Sequence, residues 1–268
     1  MNLTNENVIH VIKDDLQYIQ FRKLLEYKNL VHCFTLKDLD FAGFDTYEAK
    51  KDKVENSYNK ICKELNIEYK NICRPKQTHT DIIAKVEDGD EGIYNPKFYD
   101  VDSLMTNKKN KALVLSFADC TPLLFYDPVK NVIANTHSGW KGTYQRIAPK
   151  TVSKLVEEYG CKTQDIICCI GPHIRKCHFE VDKDVRDMFY EKYRYLNDIE
   201  KFITQNGEKY HIDTTELNKK LLLHAGLKEE NIIDSKICTV CNSDVCHSYR
   251  KEREKSGRSI SLIELVNV

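Results

Sequence analysis

The sequence predicts an α+β fold in one domain spanning residues 1–268, with three α/β/α layers built on a mixed β-sheet. Three observations point to it. β-Branched apolar runs alternate with stretches of helical periodicity. Two of those runs are joined by a short polar turn, an antiparallel hairpin foreign to a purely parallel doubly wound sheet. The ten glycines and six prolines punctuate single turns, and no repeat, low-complexity tract or Pro/Gly/Ser-rich linker divides the chain.

Taken in chain order, strands are expected at Leu30–Thr35, Ile82–Val86, Ala112–Phe117, Leu123–Tyr126, Val132–Thr136, Ile166–Ile170, Ile232–Lys236 and Ser259–Val266. Helical spacing covers Tyr47–Leu65, Thr143–Tyr159, Lys183–Tyr193 and Thr215–His224. In the first, the mixed charges of Lys50, Lys51, Asp52 and Lys53 read as a solvated face. Pro149 either kinks the second helix or marks its true start. Thr214 or Thr215 is expected to cap the last, with Glu216 in its first turn and Gly226 as its stop.

The hairpin concentrates the chemistry. With Asp127 to Lys130 in the loop, Tyr126 faces Asn131, and counting back along that register sets Cys120 opposite His137. Opposed residues on antiparallel strands hold their Cβ atoms roughly 4.5–5.5 Å apart. That span suits a thiolate and an imidazole sharing a metal, and equally a cysteine nucleophile beside its histidine base. Both readings stay open on spacing alone. A second histidine, His79, stands in a Thr-rich turn before the Ile82 strand and would complete a three-ligand site if the fold brings it close.

Bulk properties narrow the class. Lysine plus arginine equal aspartate plus glutamate at 41 each, so no global charge draws the chain to nucleic acid or an anionic membrane. No apolar run approaches the roughly 20 residues of a membrane helix. The first residues lack the basic start and apolar stretch of a signal peptide, and eleven cysteines then read as reduced thiols in a cytoplasmic protein. The sequence leaves a homo-oligomer open.

Weaker features remain. The turn from Ser138 to Thr143, with Lys141 and Arg146, could cradle an anion at a helix start. Arg250 and Arg258, in a cation-rich stretch, could hold a phosphate. Cys238, Cys241, Cys246 and His247 have the spacing of a compact metal knuckle.

The segments Gln77-Thr78-His79, Val101-Asp102-Ser103-Leu104-Met105-Thr106, Ala118-Asp119-Cys120-Thr121-Pro122 and His137-Ser138-Gly139-Trp140-Lys141-Gly142-Thr143 occur in that order. Ile170-Gly171-Pro172, Phe179-Glu180-Val181, Cys238-Thr239, Ser248-Tyr249-Arg250 and Gly257-Arg258 follow. Together they resemble the laccase-domain family, also called the multicopper-polyphenol-oxidase-like family and regarded as purine nucleoside phosphorylases. The likeness runs from about Leu30 to the end of the chain. It implies a fold related to the catalytic domain of cytotoxic necrotizing factor, and one zinc on His79, Cys120 and His137. The implied reaction is phosphorolysis of adenosine, inosine, guanosine and methylthioadenosine to a base and ribose 1-phosphate, with adenosine deamination as a side activity. Zinc would then serve as electrophile or water activator. Lys141, Arg250 and Arg258 become candidates to hold phosphate, and Asp119 a candidate to orient a ligand histidine. Two segments depart from the family pattern: residues 32–38 replace a Gly-rich stretch, and Cys246-His247 stands where an aromatic pair is expected.

Three rivals accompany that reading. In a copper-dependent polyphenol oxidase, copper would compete for the same nitrogen and sulfur ligands in vitro. One His-Cys-His set is nevertheless too small for several coppers. A metal-free hydrolase would use Cys120 as nucleophile and His137 as base. A binding module would rest on the Cys238 knuckle.

Overall fold

The computed structural model describes residues 2–43, 48–196 and 198–267. Its strands form two mixed sheets packed face to face. The first runs, in spatial order, through Val8–Lys13, Leu16–Phe21, Leu30–Thr35, Ser259–Leu265, Ala112–Phe117, Ile72–Arg74 and Gly92–Ile93. It is antiparallel as far as Ala112–Phe117 and parallel beyond. The second runs through Ile232–Asp234, Ile167–Ile170, Thr121–Asp127, Val132–Ser138, Ser103–Thr106 and Ile83–Lys85. The expected class of helices flanking mixed β-structure is what forms, and the β layer itself is double.

Period-2 alternation builds those layers. Leu113, Leu115, Phe117, Ile263 and Leu265 of the first sheet face Leu124, Tyr126 and Ile133 of the second in a shared core. Their strand neighbours Ala112, Val114, Ile260 and Leu262 point the other way, under Val54, Tyr58 and Ile61 of helix Glu48–Leu65. On the second sheet, Leu123, Phe125 and Ala134 turn out beneath Val152 and Leu155 of helix Ile147–Tyr159. Full burial of each such side chain stabilises the fold by about 1.5–3 kcal/mol. Between the sheets, buried Asn135 donates to the carbonyls of Leu113 and Ser261, both at 3.0 Å, and accepts from Ser261 Oγ at 2.7 Å. This polar tie fixes how one sheet sits on the other. A small third sheet of Glu180–Val181, Lys209–Ile212 and Ile203–Asn206 packs with helix Lys183–Tyr193 over a separate cluster.

Several sequence expectations need correcting. In the hairpin, Tyr126 pairs with Ile133, Asp127 with Val132, and His137 with Pro122, a shift of two residues. Asp127 stays in the strand because its carboxylate accepts the N–H groups of Val129 and Lys130 at 2.8 and 2.9 Å. Asn131 then closes the turn at φ +52°. Cys120 therefore lies one residue before its strand rather than opposite His137. An even shift keeps every side chain on its expected face.

The helix expected at Thr143–Tyr159 is two, Trp140–Gln145 and Ile147–Tyr159, broken at Arg146 with φ +67°. Pro149 falls in the first turn of the second, where its missing N–H would have had no helical partner. The last helix is capped by Asp213, which accepts from Glu216 N at 3.0 Å, so Thr214 and Thr215 become its first turn. The expected start at Tyr47 lies outside the described residues. Among the described residues, no helix is long and apolar enough to cross a membrane.

Glu264 is a costly group in this packing. It is fully buried, and its one hydrogen bond among the described residues comes from Asn71 Nδ2 at 3.0 Å. Burial pushes its carboxyl up to about 7 from an ordinary 4.5, against the pull of Asn71. The folded state thus holds this proton more tightly than the unfolded chain. Stability falls as pH rises between those two values and stays lower above them. Glu264→Gln is expected to stabilise the protein by roughly 1–3 kcal/mol at about pH 8 and far less at about pH 4.5. Urea unfolding at both pH values checks this, and equal gains would contradict it.

Candidate metal centre and cleft

Three of the sequence-predicted residues meet where the chain passes between the sheets. Cys120 lies in the 118–120 link from Ala112–Phe117 of the first sheet to Thr121–Asp127 of the second. His79 lies in the link from Ile72–Arg74 to Ile83–Lys85, again from first sheet to second. His137 is the penultimate residue of Val132–Ser138. One ligand atom from each of His79, Cys120 and His137 lies within 4.8 Å of the others. Cys120 Sγ is 3.7 Å from His79 Nε2, and the two imidazole rings meet edge to face at 4.8 Å.

Asp102 holds this geometry. Its buried carboxylate accepts the N–H groups of Thr78, His79 and Thr80 at 3.2, 3.2 and 2.7 Å, and the Thr80 hydroxyl at 2.9 Å. The same carboxylate bonds His137 Nδ1 at 2.6 Å, while His137 N donates to the Asp102 carbonyl at 2.7 Å. His79 itself sits at φ +65°, a conformation that persists only when its surroundings over-determine it. Asp102 supplies that determination and aims the other nitrogen of His137 towards the cluster. This is the role the sequence offered to Asp119, which turns away. Asp119 accepts from Thr239 Oγ1 at 2.6 Å, Ser248 Oγ at 3.1 Å and Arg250 N at 2.6 Å.

The electrostatics suit a cation. Burial pushes the Cys120 thiol up, but the His137 and His79 imidazoles overcome it and bring it down to about 6. Burial likewise draws His137 down, yet the Cys120 sulfur and the Asp102 carboxylate raise it to about 9. At neutral pH the bare site is a thiolate beside an imidazolium, and a divalent ion can take the place of that shared proton. Gly139 leaves the room: a Cβ there would fall 2.9 Å from His79 Cδ2 and 3.1 Å from Cys120 Sγ. Two imidazoles, one thiolate and a side-chain-free space beside them fit a borderline divalent ion with an open coordination position.

The cluster forms part of the lining of a cavity of about 870 Å³, of the size that holds small-molecule ligands. Ile174, Phe179 and Trp140 give it apolar wall, and Arg250 and Arg258 give it charge. Arg250 donates to the carbonyls of His178 and Glu180 at 2.8 and 3.1 Å, and Arg258 to those of Ser256 and Gly257 at 3.0 and 2.9 Å. Among the described residues, neither guanidinium forms an ion pair. Lys141 does not line the cavity, and its Nζ lies 5.8 Å from the centre of the Trp140 ring.

Besides Asp102, two residues were missed as working parts. Gln77 accepts from Ser116 N at 2.8 Å and donates to Ser116 O at 3.0 Å, fastening the His79 link to the first sheet. Arg74 lines the cavity from a buried position, donating to Tyr58 OH at 2.8 Å. Neither carries a signal in spacing. The knuckle reading is corrected as well. Cys246 is buried in the shared core and His247 Nε2 bonds Leu39 O at 2.9 Å, so neither joins Cys238 and Cys241. Cys177 and His178 do.

Fold and site together define a protein with a small-ligand cleft beside a nitrogen–sulfur cluster able to hold a metal ion. The chain belongs to the multi-copper polyphenol oxidoreductase laccase family, whose model matches residues 40–266. It is 33% identical over 225 residues to a Bacillus subtilis protein named purine nucleoside phosphorylase YlmD, covering 82% of this chain and 80% of that one. A protein named adenosine deaminase RL5, from an unknown prokaryotic organism, is 28% identical over 75% of this chain and 78% of its own length. The crystal structure of Bacillus licheniformis hypothetical protein YfiH superimposes with a TM-score of 0.84 at 30% identity, covering 96% of this chain and 98% of that one.

Two expectations follow from the geometry. In chelator-treated protein, alkylation of Cys120 should rise with a midpoint near 6, and Asp102→Asn should move that midpoint up by weakening the imidazolium partner. Intact-mass kinetics across pH read this; a midpoint unmoved by the substitution would contradict it. Asp102→Asn and Gly139→Ala should each lower metal affinity by about 10–100-fold with the fold retained, as followed by competition with a chromophoric chelator.

Proposed function

We propose that this protein is a zinc-dependent purine nucleoside phosphorylase of the reducing cytoplasm. Its substrates are adenosine, inosine, guanosine and methylthioadenosine. One observation carries the reading: the His79–Cys120–His137 cluster opens onto the same cleft as two guanidinium groups without ion-pair partners among the described residues. Relatives named as purine nucleoside phosphorylases support it. All eleven cysteines are free, which suits a reducing compartment.

In phosphorolysis a phosphate oxygen forms a bond to C1′ of the ribose while the C1′–N9 bond breaks. The electron pair leaves on the purine, which takes up a proton, and positive charge grows on the sugar in between. Arg258 and Arg250 bind the phosphate dianion and keep it beside that charge. Ile174, Phe179 and Trp140 receive the purine and exclude water, which would otherwise compete with phosphate for C1′. Asp102 keeps a proton on His137 Nδ1, so the opposite nitrogen of that ring stays a ligand. His79, Cys120 and His137 would hold the zinc, which would supply Lewis-acid character at this end of the cleft. The relative named adenosine deaminase favours a second activity at the same site, in which water adds at the amino-bearing purine carbon and ammonia leaves.

Adenosine supplied with phosphate should yield adenine and ribose 1-phosphate, and without phosphate no ribose 1-phosphate. Cys120→Ala should lower base release by at least about 10²-fold. Undiminished release from folded Cys120→Ala protein would overturn the mechanism, and activity surviving complete zinc removal would favour the metal-free cysteine reading. Arg258→Ala should raise KM for phosphate about tenfold while leaving KM for the nucleoside nearly unchanged.

A further inference from the structure

A second constellation stands apart from the first. Cys177 and His178 follow the segment that pairs at His173, and Cys238 and Cys241 belong to the turn paired with it through the His173–Cys238 bridge. Cys177 Sγ is 3.5 Å from Cys238 Sγ and 3.7 Å from Cys241 Sγ. His178 Nδ1 is 3.2, 3.7 and 3.5 Å from the sulfurs of Cys177, Cys238 and Cys241.

Those lengths describe a particular solid. Zinc bonds of about 2.3 Å to sulfur and about 2.0 Å to nitrogen, at tetrahedral angles, set S···S edges near roughly 3.8 Å and S···N edges near roughly 3.5 Å. The five edges quoted match within a few tenths of an ångström. The S···S spacing is well beyond the roughly 2.05 Å of a disulfide. Cys177 and Cys241 are exposed, unlike most cysteines of a reduced protein, and an ion would satisfy both.

We propose that Cys177, His178, Cys238 and Cys241 form a second, closed zinc site with a structural role. Four protein ligands leave no open position, which sets it apart from the His79–Cys120–His137 cluster. Its zinc displaces the thiol protons of the three cysteines and clips residues 173–181 to residues 238–241. Both segments serve the cleft. Ile174 and Phe179 line it, Ile174 N donates to Asp119 O at 2.9 Å, and Thr239 donates to the Asp119 carboxylate. The clip therefore holds the apolar wall against the residue that precedes Cys120.

Elemental analysis of the full chain, expressed with zinc and purified under reducing conditions, is the first test. We expect two zinc ions per chain, one remaining in Cys120→Ala and one remaining in Cys241→Ser. A Cys120→Ala protein that binds no zinc would overturn the proposal whatever the fate of the phosphorylase reading, because the first cluster is absent from that variant. The second test needs no substitution. In the wild-type protein, alkylation of Cys177 and Cys241 by iodoacetamide should be at least about tenfold slower before chelator treatment than after. Equal rates, or a non-reduced mass lighter by two hydrogens at a Cys177–Cys238 peptide pair, would also overturn it.

Discussion

The site depends on one buried carboxylate. An ionised Asp102 sealed from water is costly unless its lone pairs are taken, and every bond it accepts comes from the two histidine-bearing segments. Burial raises its carboxyl, but the hydrogen bond and charge of His137 together with the bonds from Thr80 outweigh that and hold it below the usual value. The strained backbone of His79 and the tautomer of His137 are thus settled by the same group. Cys120 makes no contact with Asp102 in this arrangement; it feels the carboxylate through the charge on His137.

The double sheet explains why that one residue reaches so much. Two links between the sheets, residues 118–120 and the stretch after Arg74, come together at Cys120 and His79, and the Val132–Ser138 strand brings His137 to the same place. The core can be filled by Leu, Ile and Phe from both faces while the chemistry gathers where the backbone leaves the sheets. Positive φ values at His79 and Asp119 belong to these links, where no ladder imposes extended backbone. Rigid strands end on either side and confine the freedom of the loops.

Much of this was legible in the sequence, and the limits have physical causes. Leu30–Thr35 and Ala112–Phe117 formed as expected because short, mostly apolar runs of this length suit a buried strand. The Val8–Lys13 and Leu16–Phe21 hairpin was missed because its alternation is diluted by polar edge residues. Cys120 and His137 were paired through a register off by two, and an even error leaves facing residues on the same face. The convergence of His79 was beyond any periodicity, since it depends on a crossover between sheets and on five hydrogen bonds to a distant aspartate. The CxxC pair was noticed but its partners were sought nearby in sequence. They came from 60 residues away, as the His178–Cys238 separation records.

The two carboxylates that flank this chemistry divide its labour. Asp102 answers to the two histidine-bearing segments, and Asp119 to the wall: Thr239, Ser248 and the backbone of Arg250 all converge on it. Because Asp119 immediately precedes Cys120, any shift of the 238–250 segment pulls on the backbone that carries the thiolate. Arg250 extends the link, since its guanidinium binds the carbonyls of His178 and Glu180 on the opposite segment. A phosphate drawn to Arg250 would then meet a group already braced at both ends, which loses little freedom on binding. Cation, thiolate and apolar wall are positioned through one connected set of hydrogen bonds, so the cleft keeps its shape before any ligand arrives.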